Sequence, residues 1–152
     1  MQLSKHFSLA ELTASEVADE EGIDNQPTED WEIENLQFLC ENILEPIRLY
    51  YETPFSPNSG YRSPELNAEI GGVPTSQHCT GEAVDISVPG VSKLALAWWI
   101  RTHLDFDQMI LECYDVDLPE AGWVHVSTKT SGNCRHETLM YDGESYTTGI
   151  PG

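Results

Sequence analysis

His78 and Asp85 are separated by a short stretch that contains Gly81. Both side chains are good ligands for a divalent transition metal. Gly81 has no Cβ, so the backbone can turn tightly there at positive φ. Beyond it, Glu82 to Val88 predicts a strand with Val84, Ile86 and Val88 on one face and Ala83 and Asp85 on the other. A carboxylate buried in such a strand is costly unless something compensates its charge. A metal ion does that. The later run Trp123-Val124-His125-Val126-Ser127 alternates, which turns His125 away from Val124 and Val126. Two imidazoles and a carboxylate make a three-ligand set with an open fourth position, the pattern of a catalytic zinc. The expectation is one zinc ion held by His78, Asp85 and His125.

Hydrolysis at such a centre needs a carboxylate to take a proton from water and pass it to the leaving amine. Two acids lie near His125 in sequence, Glu112 and Glu120. Glu112 is preferred, because a strand end is better fixed than the loop around Pro119. Arg62, in Ser59-Gly60-Tyr61-Arg62-Ser63, is the second catalytic candidate. A guanidinium binds a carboxylate or a developing oxyanion through two parallel hydrogen bonds. Lys and Arg are scarce in this chain, so few are available for a site.

The elements that must position these residues follow in chain order. Ser8 and Glu11 stand at capping-box spacing, which predicts a short helix. Val17 to Asp30 is acidic and turn-rich and reads as loop. A long helix should start near Glu29, with Trp31 buried early on it. Its stripe is Ile33, Leu36, Phe38, Leu39, Ile43, Leu44, Ile47 and Leu49. Pro46 should kink or restart it. Phe55 to Ser59 reads as a short extended run. Pro64 to Ile70 predicts a short helix, and Gly71 to Gln77 a loop that delivers His78. Ser92 caps a helix from Lys93 to Leu104. Strands follow at Phe106–Glu112, at the His125 segment and at Thr138–Tyr141, with an acidic loop from Asp115 to Gly122 and a turn at Asp142-Gly143. Helices first, then short strands with one inserted helix, is an α+β order rather than βαβ repeats.

The chain has 152 residues, 39% hydrophobic and 22% charged, and reads as one domain over 1–152 with a sizeable core. The balance of 26 acidic to 7 basic residues gives −19. Nucleic acid and anionic membrane surfaces are excluded as partners, since phosphate binding needs clustered Lys and Arg. No apolar run follows Met1 to Lys5, so no signal peptide is expected. No segment reaches the ~20 apolar residues of a membrane span. Cys40, Cys79, Cys113 and Cys134 lack C-x-x-C spacing and fit a chain made in a reducing compartment.

The string Ser-x-His-x-x-Gly-x-Ala-x-Asp at Ser76 to Asp85 resembles the zinc D-Ala-D-Ala carboxypeptidase family, which includes phage endolysins. Trp123 to Ser127 is similar to that family's third ligand segment, and Ser59 to Ser63 to its substrate-binding Arg segment. The resemblance implies substrate contacts from Arg62, Ser76 and Trp123. It also implies a small, mostly antiparallel sheet with helices on one face and zinc in a cleft on the other. Several members carry an acid three positions before the last His. Gly122 stands there in this chain, so that pattern fails. Phe106 to Glu112 is similar to a strand of the hedgehog signalling domain, where a Glu sits by the zinc. The function implied is a zinc peptidase cutting peptidoglycan stem peptides, as a D,D-carboxypeptidase or an L-Ala–D-Glu endopeptidase. The alternative is a catalytically silent metal-binding module of a virion or envelope. A monomer made in the cytoplasm is expected, reaching the cell wall on lysis or on a phage particle.

Overall fold

The computed structural model describes residues 1–118 and 120–152. Pro119, within the predicted acidic loop, lies outside them. Six α-helices occur among the described residues: α1 (Leu9–Thr13), α2 (Glu16–Glu21), α3 (Asp30–Leu39), α4 (Glu45–Tyr51), α5 (Pro64–Glu69) and α6 (Lys93–His103). A π-helical turn, Cys40–Leu44, joins α3 to α4, and a 3₁₀ turn, Gln77–Thr80, precedes the first strand. The strands are β1 (Ala83–Ile86), β2 (Gln108–Glu112), β3 (Trp123–Ser127), β4 (Glu137–Tyr141) and β5 (Tyr146–Thr148). They form one sheet in the order β1-β3-β2-β4-β5. Every pairing is antiparallel except β2 with β4, which is parallel. The fold is α+β with a mostly antiparallel sheet.

The sheet alternates as a half-buried sheet must. Val84, Ile86, Met109, Leu111, Val124 and Val126 are fully buried and join Leu36, Leu39, Ile43, Leu44, Ile47, Leu96 and Ile100 in one core. That face lies against the helices. The opposite face carries the row Asp85–His125–Ile110–Leu139, each residue paired with the next across the strands. Beside it runs the row Trp123–Glu112–Tyr141–Tyr146. The polar site is therefore built on the face the core does not use.

Several elements form as their sequences dictate. Ser8 and Glu11 make the reciprocal capping box of α1. Ser63 caps α5 and Ser92 caps α6 through their side chains. Pro46 sits in the first turn of α4, where a missing N–H costs little, and the preceding turn widens to π geometry.

Three expectations need correction. Val17 to Asp30 is not all loop, since α2 occupies Glu16–Glu21. Ser15 caps it, and Gly22, at φ 67°, closes it in the left-handed region, so the glycine is a helix stop and not a free turn. Trp31 is 49% exposed, not buried. The inward face of α3 runs back from Leu36 to Glu32, whose carboxylate turns to accept from the N–H groups of Thr28 and Glu29. Trp31 lies off that face. Leu49 likewise falls outside the stripe at 80% exposure. The run Phe55 to Ser59 lies outside the five strands. Only Ser59 bridges, and its partner is Asp85.

Candidate metal centre

His78, Asp85 and His125 come to the cleft by three routes. Ser76 Oγ accepts from the His78 N–H and starts the 3₁₀ turn, and Gly81, at φ 77°, ends it. Those two caps aim His78 back over β1. Asp85 and His125 are direct cross-strand partners on β1 and β3. Side chains opposite each other on one sheet face lie about 4.5–5.5 Å apart at Cβ. The sheet register thus supplies two of the three groups, and the capped turn supplies the third.

The three donor atoms lie within 4.8 Å of one another. Asp85 Oδ1 is 3.3 Å from His78 Nε2 and 3.0 Å from His125 Nδ1. Ligand atoms each ~2.1 Å from one tetrahedral ion would stand ~3.4 Å apart, so the spacing suits a zinc ion. The surroundings point the same way. His78 is 2% exposed, and burial lowers its pKa. Its Nδ1–H donates to the Gly60 carbonyl at 2.7 Å, which turns Nε2 toward Asp85 Oδ1. Burial opposes ionisation of Asp85, but hydrogen bonds with the two imidazoles outweigh it and hold the carboxyl well below the usual range. The donor set fits zinc.

A second ring of contacts fixes the ligands. Ser59 exchanges backbone hydrogen bonds with Asp85 at 2.8 and 3.4 Å. That pairing brings Gly60 under His78 and Arg62 beside Asp85. The Arg62 N–H bonds the His78 carbonyl, and its guanidinium donates to Asp85 Oδ2 at 3.2 Å and to Ser59 Oγ at 3.1 Å. Orientation of metal ligands by such outer partners is a general requirement. Sequence reading missed one of them. Asn25 is 5% exposed, donates to the Thr13 and Tyr61 carbonyls and accepts from the Ser63 N–H. It staples the loop after α2 onto both sides of Arg62. An Asn in a turn-rich segment carries no sequence signal of that role.

Glu112 lines the same cleft of about 600 Å³ as the three donors, with Arg62, Ser76 and Trp123. It is two residues along β2 from Ile110, the partner of His125, and it faces Trp123 directly. The Trp123 indole N–H donates to Glu112 Oε2 at 2.7 Å, and Oε1 has no hydrogen-bond partner among the described residues. Burial, then the negative charge of Asp85, raise the Glu112 pKa. Glu120 is elsewhere, 75% exposed and 3.4 Å from Lys93 Nζ. His103 and His136 are both exposed and outside the cleft lining.

The missing acid at position 122 has a steric cause. Gly122 sits at φ 81°, and a Cβ there would lie 2.0 Å from the Glu112 carbonyl oxygen. Only glycine closes the β2–β3 connection this way. Gly122→Asp should therefore lower stability by more than about 2 kcal/mol and add no activity. Thermal denaturation checks it, and an unchanged melting temperature would show that the backbone tolerates a side chain there.

A buried carboxylate and an imidazole paired on one sheet face, a second imidazole from the capped turn, and a further carboxylate of raised pKa in the same cleft are the equipment of single-metal hydrolases. Comparison with protein families matches residues 5–127 to Peptidase M15, and the chain belongs to that family of zinc-dependent peptidases. No curated protein matches the chain.

Proposed function

We propose that this protein is an active zinc peptidase that hydrolyses peptidoglycan stem peptides at a D-amino acid bond, as a D,D-carboxypeptidase or an L-Ala–D-Glu endopeptidase. One observation carries the proposal over a silent metal module. A carboxylate with a raised pKa and one oxygen unbonded among the described residues stands beside a complete donor set in an open cleft. A module that only bound metal would have no use for it.

His78 Nε2, Asp85 Oδ1 and His125 Nδ1 would hold the ion. Zinc bound there would supply Lewis acidity toward the scissile carbonyl and would acidify the attacking water. Glu112 Oε1 takes the water proton and returns it to the leaving nitrogen, while the Trp123 N–H holds Oε2 still. Its raised pKa suits both halves of that task. Arg62 keeps Asp85 oriented with one nitrogen. Its second terminal nitrogen, Nη1, makes no hydrogen bond to the described residues and is available to a substrate carboxylate or oxyanion. Ser76 and Trp123 form adjacent parts of the cleft wall.

The test is metal content together with digestion of purified peptidoglycan, read by mass spectrometry of the released ends. One zinc per chain and new termini at a D-amino acid bond are expected. Bound zinc with intact peptidoglycan would leave the silent module as the correct reading.

A further inference from the structure

The last strand of the sheet adds nothing to the core. Tyr146, Thr147 and Thr148 of β5 are all exposed. A strand is normally secured by a buried apolar face. This one is secured at both ends by polar bonds instead. Asp142 Oδ1 accepts from the N–H groups of Glu144 and Ser145, both at 2.8 Å, and closes the turn from β4. The Tyr141 hydroxyl donates to the Gly143 carbonyl at 2.9 Å within the same turn. Beyond β5, the Gly149 N–H bonds the Thr138 carbonyl at 2.8 Å, and the Trp98 indole N–H of α6 donates to the Pro151 carbonyl.

What this pinned strand presents is Tyr146, which lines the metal cleft. Its ring lies against Tyr141, its direct cross-strand partner, with centroids 4.5 Å apart. Its hydroxyl makes no hydrogen bond to the described residues. Burial and then the charge of Glu112 raise its pKa, so the O–H is kept as a donor. Arg62 marks the other end of the same cleft, against Asp85 of β1. β1 and β5 are the two edges of the sheet. The cleft therefore crosses the sheet from edge to edge, with the metal donors and Glu112 between Arg62 and Tyr146. Glu112 and Tyr146 are two strands apart, about 10 Å at the backbone. An extended peptide advances ~3.3–3.6 Å per residue, so it spans that gap in about three residues.

We propose that Tyr146 is a specificity-determining residue that binds the peptide substrate about two to three residues from the scissile bond, on the side away from Arg62. This rests on the peptidase reading and gives it a polarity, with the substrate laid across the strands. The ring is 57% exposed, which leaves an apolar face for a substrate side chain to cover. The hydroxyl can donate to a substrate backbone carbonyl at the same time. Tyr141 and the bonded turn already hold the ring in place, so little order remains to be lost on binding. Tyr146 follows the matched segment, which ends at residue 127. The far end of the cleft is thus built by a part of the chain that the family match does not reach.

The experiment uses the zinc-loaded full chain, a synthetic stem pentapeptide and versions shortened one residue at a time from either end. Cleavage is measured as kcat and KM, and binding by calorimetry with Glu112→Gln present to stop turnover. Tyr146→Phe keeps the ring on Tyr141 and should weaken binding about fivefold through the lost hydroxyl. Tyr146→Ala should weaken it about tenfold or more, with the loss in KM rather than kcat. That loss should shrink on peptides trimmed from one end, the end that reaches Tyr146, and persist on peptides trimmed from the other. An equal loss on every peptide, a loss confined to kcat, no loss in Tyr146→Ala, or failure of every peptide to bind would overturn the assignment. Tyr146-dependent, length-dependent binding with no cleavage by the parent would uphold the subsite and sink the peptidase reading instead.

Discussion

Glu112→Gln should keep one zinc ion per chain and lose about 10²–10⁴-fold in turnover, the usual contribution of a general acid–base group. The substitution is nearly isosteric. It preserves a carbonyl oxygen to accept the Trp123 N–H, now 2.7 Å from Oε2. None of the three metal donors hydrogen-bonds Glu112, so the donor set should be undisturbed. The amide cannot take a proton at Oε1. The loss should fall on kcat, with zinc content by atomic absorption unchanged. A fully active Glu112→Gln would remove it from the chemistry. Glu120→Gln is the control. Its side chain is exposed on another surface, and its activity should match the parent.

His125→Ala should lose both zinc and activity while the protein stays folded. It is the cleanest of the three ligands to remove. His78 is buried and bonded to the Gly60 carbonyl, so its loss would also leave a backbone acceptor without its partner. Asp85 exchanges backbone bonds with Ser59 and takes the Arg62 guanidinium, so its removal would unpair a partly buried cation. His125 is half-buried, its polar contact is to Asp85 alone, and β3 keeps its ladder with Ala in place. Two remaining ligands hold zinc weakly. Chelation of the parent should give the same inactive, folded state, and readdition of zinc should rescue the parent but not the variant. Unchanged zinc stoichiometry in His125→Ala would show that the ion is held elsewhere.

The parts of this molecule that could be read from its sequence are those with short-range signals. Alternation placed His125 and Asp85 on the face away from Val124, Val126, Val84 and Ile86. Gly81 marked the turn after His78, and serine caps marked α1 and α6. The failures have two causes. Helix phase was misjudged, because the pattern around Trp31 did not reveal that Glu32 would take the inward position. Long-range pairing was invisible. Asn25 earns its place through partners 36 and 38 residues away, and Asp107 through Arg135, 28 residues away. The exposed three-residue β5 lacks any apolar alternation that could announce it.

The position of β2 bears on how this chain reaches its final form. β2 is the middle strand, flanked by β3 on one edge and by β4 on the other. β3 follows it closely and can pair as a hairpin. β4 runs parallel and arrives only after the chain has passed from β3 around the Gln108 end of β2 to its other side. Until Glu137–Tyr141 emerges, β2 presents a naked hydrogen-bonding edge over an apolar run, a template for pairing with another molecule. The segment that resembles the family ends before that cover exists. Closing the sheet is therefore the work of residues that follow the metal ligands in the chain, and a chain cut short after Ser127 would carry those ligands on an unprotected, aggregation-prone sheet.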